Sequence, residues 1–188
     1  DANASQRDAS IAVLTERGRA LLEAHRTPDS HPEQAYHAGL VKPAELAHDT
    51  ALHRVYREAA ADLADEGRRV TRVVLDYELK ADYQRFLNRP DRPADATLES
   101  ERAAFAEAHG LTVVDGHLEL PDLRLEYEDP DGTRGVRDVE LVTEHYSRAQ
   151  LAGKQQAGFT MYRLGGRAGR ATRGGTPYDP HRITQVLR

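Results

Sequence analysis

Pro121-Asp122-Leu-Arg-Leu-Glu-Tyr-Glu128 and Val136-Arg-Asp-Val-Glu-Leu-Val142, joined by Asp129-Pro-Asp-Gly132-Thr-Arg-Gly135, decide how this chain is read. In the first run Leu123, Leu125 and Tyr127 alternate with Asp122, Arg124 and Glu126; in the second, Val139 and Leu141 alternate with Asp138 and Glu140. A period of two, with apolar side chains on one face, marks a strand that covers a core on one side. Proline and glycine between the runs mark a turn. The pattern predicts a hairpin, with strands over 117–128 and 136–142.

The polar face of that hairpin carries the candidate chemistry, and the turn decides it. A two-residue turn centred on Asp131-Gly132 pairs Asp122 with Leu141 and sends Glu140 to the other face. A three-residue loop over 130–132 pairs Asp122 with Glu140 directly, and Gly132 and Gly135 would tolerate a bulge. If the acids share a face, their hard oxygens suit Mg²⁺ (or Mn²⁺), which polarises a phosphodiester and lowers the pKa of bound water. A nearby lysine would stabilise the developing negative charge. The competing reading makes Asp122 and Glu140 solvated positions of an amphipathic sheet, in a chain that is 30% charged.

Upstream, Leu52, Val55, Tyr56, Ala59 and Leu63 recur at helical spacing and predict a helix over 44–66, stopped by Gly67. His48, one turn before Leu52, is expected on the buried stripe. Val70-Thr-Arg-Val-Val-Leu75 predicts a strand continuing through Glu78 to Lys80. Pro90 and Pro93 then place 81–97 in a loop or lid. A helix over 98–109 ends at Gly110, followed by a short strand and the Asp115-Gly116 turn. Ser147 and Gln150 form a capping box for a helix over 148–157, and 159–163 reads as a last strand. The order predicts an α/β fold, a central mixed sheet flanked by helices. Residues 1–43 form an N-terminal helix and linker, 44–164 the α/β domain and 165–188 a Gly/Arg-rich tail.

Composition excludes several classes. The chain has no cysteine, hence no disulfide framework, thiolate metal site or thiol nucleophile. No apolar run approaches the roughly 20 residues of a membrane helix, and no stretch reads as a signal peptide. A cytoplasmic protein without membrane contact is expected. The sequence opens at Asp1 rather than Met, as a fragment would. Net charge is −5, yet from Arg163 onward six arginines face one acid, Asp179. Arg167, Arg170 and Arg173 in this glycine-rich tail are candidate nucleic-acid contacts, since arginines neutralise phosphates; the competing reading is a solvated tail without a partner. Only Lys42, Lys80 and Lys154 are lysine.

Pro121-Asp122, then Asp138-Val-Glu140-Leu-Val142 leading into a helix, resembles the core of the restriction-endonuclease-like superfamily, PD-(D/E)XK. The chain also resembles the replication-relaxation proteins of actinobacterial mobile elements, which join a winged helix to such a domain. The matching residues are His48 in Ala-His-Asp-Thr-Ala-Leu-His-Arg, Glu78 in Leu-Asp-Tyr-Glu-Leu-Lys, Pro121-Asp122, and Glu140 followed by Lys154 and Tyr162. Val13-Leu-Thr-Glu-Arg-Gly-Arg19 is similar to the end of a winged helix.

The resemblance implies a metal-dependent nuclease-like domain of a mobile element, acting on DNA. Asp122 and Glu140 would hold Mg²⁺ (or Mn²⁺), Glu78 would assist, and Lys154 would support the nucleophile. Such endonucleases often act as homodimers. One departure matters: the family's lysine stands two residues after the glutamate, where this chain has Val142. Lys154 is the substitute, and if it does not face the two acids, the resemblance implies an inactive relative that binds DNA or a protein partner.

Overall fold

The computed structural model describes residues 12–26, 34–39, 46–143 and 146–163. The chain divides into two compact units, Asp1–Leu46 and Ala47–Arg188. In the first, α1 (Glu16–Ala24) starts where Thr15 Oγ1 accepts the Gly18 N–H at 3.0 Å, a side-chain N-cap. None of its residues is buried.

The second unit holds α2 (Leu46–Asp65), β1 (Arg69–Leu75), α3 (Asp76–Leu87), α4 (Leu98–His109), β2 (Thr112–Val114), β3 (His117–Glu119), β4 (Leu123–Glu128), β5 (Arg134–Val142), α5 (Arg148–Gln156) and β6 (Thr160–Arg163). Four strands form a mixed open sheet in the order β1-β4-β5-β6, with the β5·β6 pair parallel and the others antiparallel. Strands β2 and β3 form a separate two-stranded sheet. The protein is thus an α/β fold with a mixed sheet flanked by helices.

Alternation gives the sheet two different faces. Leu123, Leu125, Val139, Leu141 and Tyr162 pack with Leu52, Val55, Ala59 and Leu63 of α2 in the main core. Each fully buried aliphatic chain there contributes about 1.5–3 kcal/mol. The other face carries the buried polar groups Arg124 and Glu140. A second cluster, Phe105, Ala106 and Leu111 with Tyr83, Phe86, Val113, Leu118 and Leu120, joins α3, α4 and the small sheet. Arg124 links the two layers: it donates to Asp138 at 2.7 and 2.8 Å and to the His109 carbonyl at 2.5 Å.

Three expectations are corrected. Residues 76–80 do not extend β1; they open α3, which replaces much of the expected lid. Glu78 Oε1 accepts the Leu75 N–H at 3.1 Å, satisfying a donor that the helix start would leave free. Leu79, Tyr83 and Phe86 then fall on one helical face, a period hidden because the apolar run of β1 leads directly into it. The expected 117–128 strand is two strands, because Pro121 lacks the N–H a ladder needs. His48 is not a core residue; its side chain is 41% exposed. Among the described residues, no helix is long and apolar enough to cross a membrane.

Candidate active-site cleft

The turn between β4 and β5 sets the site. Asp129 N–H donates to Thr133 O at 2.8 Å, leaving 130–132 as a three-residue loop, with Gly132 at φ +84°. That left-handed position suits glycine. The ladder runs from Glu128↔Arg134 to Leu123↔Val139 without a bulge. Just beyond the end of the ladder, side-chain bonds to backbone bring Asp122 and Glu140 together.

Each acid is tied to the opposite strand. Asp122 N–H donates to Glu140 Oε2 at 3.2 Å, and Leu141 N–H donates to Asp122 Oδ2 at 2.9 Å. Lys154, in the last turn of α5, brings its Nζ to 3.2 Å from Glu140 Oε1 and 3.4 Å from Glu119 Oε2, and donates to Leu120 O at 2.6 Å. Tyr146 OH donates to Glu140 Oε1 at 2.6 Å. His48 Nε2 stands 3.9 Å from Asp122 Oδ2. The helix bearing Lys154 begins with the expected capping box: Ser147 Oγ accepts the Gln150 N–H at 3.2 Å, and Gln150 Oε1 accepts the Ser147 N–H at 2.9 Å.

Glu119, Asp122, Glu140, Tyr146 and Lys154 line a cleft of about 450 Å³, together with Asp76, Lys80 and Gln150. Glu140 is 1% exposed, and burial holds its carboxyl above the ordinary range. The nearby Asp122 charge pushes the same way, while the Tyr146 hydrogen bond and the Lys154 ammonium oppose. The Tyr146 hydroxyl is likewise pushed up by burial and by its bond to Glu140, so it remains a donor. Glu119 and Glu140 share the Lys154 ammonium and Asp122 adds a third carboxylate to the cleft lining, while Asp76 and Lys80 pair with each other. The arrangement leaves more carboxylates than ammonium groups in the cleft lining.

The structure gathers Asp122, Glu140 and Lys154. Glu78 is not among the cleft-lining residues; it caps α3 and lies 4.0 Å from Arg72. Tyr162 is buried, its OH donating to Asp62 at 3.2 Å. Arg167, Arg170 and Arg173 lie outside the described residues. Glu119 and Tyr146 escaped the sequence reading. The first was hidden inside an overlong strand, and the second sat in a loop without periodicity.

The donor types at Asp122 and Glu140 fit a hard cation such as Mg²⁺ or Mn²⁺. Among the described residues, however, no three His, Asp or Glu side chains group closely enough to hold a metal ion between them. Remaining positions would fall to waters and substrate oxygens, which Mg²⁺ commonly retains. Compared with family models, with curated proteins and with solved structures, the chain matches none.

Proposed function

We propose that residues 47–163 form a PD-(D/E)XK-like nuclease domain that hydrolyses phosphodiester bonds in DNA. The observation that carries this is the convergence of Asp122, Glu140 and Lys154 in one cleft, with Lys154 Nζ 3.2 Å from Glu140 Oε1. The lysine arrives from α5, twelve residues beyond the Val142 that stands at the motif's usual lysine position. In this reading Asp122 and Glu140 hold Mg²⁺ or Mn²⁺, which when bound polarises the phosphate and acidifies a water. Lys154 keeps a positive charge beside the scissile phosphate, where negative charge develops. Tyr146 fixes the Glu140 carboxylate, and the backbone bonds of Asp122 and Leu141 hold the two acids side by side. The link to replication-relaxation proteins, with α1 as the end of a winged helix and the tail arginines on phosphate, belongs to the same proposal.

A second reading, a non-catalytic DNA-binding or interaction module, is favoured by one observation. Glu140 is almost wholly buried, and its oxygens already serve Tyr146, Lys154 and the Asp122 N–H. Calorimetric titration with Mn²⁺ separates the two. The nuclease reading expects one site in the wild type and none in Asp122→Ala; absence of heat in the wild type overturns it. DNA binding that survives Asp122→Ala but not replacement of Arg167, Arg170 and Arg173 supports the second.

A further inference from the structure

We propose that Glu119 is a positioning residue that, with Gly153, clamps Lys154 onto the two-acid rung; the kinetic consequence rests on the nuclease reading above, the clamp itself does not. A lysine on a helix carries a long, flexible stem, and holding its ammonium in one place costs rotamer entropy. Three oxygens meet that cost: Leu120 O at 2.6 Å, Glu140 Oε1 at 3.2 Å and Glu119 Oε2 at 3.4 Å. Two of the three come from consecutive residues at the end of β3, just before Pro121 interrupts the strand. The small β2·β3 hairpin thereby acquires a role: it carries the anchor for a cation supplied by another element.

Gly153 is the second half of the clamp. A Cβ at this position would sit 3.2 Å from Glu119 Oε1 and 4.0 Å from Val114 Cγ1. Glycine is a poorer helix former than alanine, and here its bareness lets the Glu119 carboxylate lie against the turn that holds Lys154. Glu119 and Lys154 are equally sheltered, each side chain 17% exposed. Glu119→Gln keeps the shape and removes the charge, whereas Gly153→Ala keeps the charge and displaces it, so the two variants probe one clamp independently.

The chain's three lysines make a direct test simple. Acetylation with a water-soluble N-hydroxysuccinimide ester, followed residue by residue by mass spectrometry, uses Lys80, 62% exposed, as internal standard. In the wild type Lys154 should react about tenfold more slowly than Lys80, since its ammonium meets three oxygens on a side chain 17% exposed, whereas Lys80 meets Asp76 alone on one 62% exposed. Glu119→Gln and Gly153→Ala should each raise the Lys154 rate severalfold without changing that of Lys80, and the double variant should add nothing beyond the larger single effect. If either fails to fold, the other decides. On a DNA substrate with Mn²⁺, both should lower kcat by about 10- to 100-fold with KM unchanged, and Glu119→Asp should restore part of it. A Lys154 rate unaltered in both variants overturns the clamp. Protection of Lys154 that is lost in the variants, in a wild type that cuts no DNA, upholds the clamp and defeats the nuclease reading.

Discussion

Two consecutive rungs on one face of the β4·β5 ladder behave in opposite ways. Arg124 and Asp138 pair across the strands, both nearly buried, and the guanidinium also takes the His109 carbonyl. That rung closes on itself electrically and stitches α4 to the sheet. The neighbouring rung sets Asp122 beside Glu140, two like charges that the sheet cannot neutralise from within. Its counter-charge comes from α5 through Lys154, whose single ammonium is shared between Glu140 and Glu119 and so does not balance the rung. Position in the sheet is almost the same; only the residue types differ. A charge pair satisfied internally builds structure, whereas one left in deficit draws its counter-charge from another element, here Lys154 of α5.

The largest effect is expected where the closed rung is opened. Arg124→Ala leaves Asp138 sheltered without its partner and should cost about 3–5 kcal/mol in urea unfolding, while replacing both residues with apolar ones of similar volume should recover most of it. Asp122→Asn at the open rung should do the reverse: on the nuclease reading DNA cleavage falls on the order of 100-fold or more, while stability changes by less than about 1 kcal/mol because like-charge repulsion is relieved. Equal stability losses at the two rungs would abolish the contrast.

Next comes the far end of the same ladder, where Tyr127 faces Gly135. A Cβ on Gly135 would fall 2.5 Å from Tyr127 Cζ, so Gly135→Ala should cost about 1–3 kcal/mol by overpacking the ring. If the register set there governs the rung above, the Mn²⁺ heat should weaken in parallel.

The smallest effect is a slope. Burial keeps the Glu140 carboxyl above its ordinary range, so the folded chain holds this proton to higher pH than the unfolded chain does. In chelator-treated buffer the wild type should lose stability as pH rises from the ordinary glutamate range toward that raised value. Glu140→Gln should lack this component. A wild type that gains stability over the same interval relative to the variant would mean that Lys154 and Tyr146 outweigh burial.

Much of this was legible from local pattern. The helices over 46–65, 98–109 and 148–156 follow from periodicity, capping residues and glycine stops, and the strands of the hairpin from alternation. Asp122 and Glu140 were visible as candidates because alternation assigns each to the polar face of its own strand. The helical start at Asp76 was not, because a strand and a helix share one unbroken stretch whose boundary is set by the Glu78 cap and by packing of Leu79, Tyr83 and Phe86. Nor was His48, whose helical stripe says nothing about where the sheet ends and the cleft begins.

Chain order and residue chemistry alone therefore establish an α/β protein with acids on one side of a hairpin and no cysteine chemistry. Whether the acids meet is a matter of register, and register came from a three-residue loop that the sequence allowed alongside another. The arrival of Lys154, Tyr146 and Glu119 around Glu140 is a matter of packing between elements up to about 35 residues apart. Local periodicity carries information over a few residues; convergence of distant side chains depends on how whole layers stack, which no local pattern encodes.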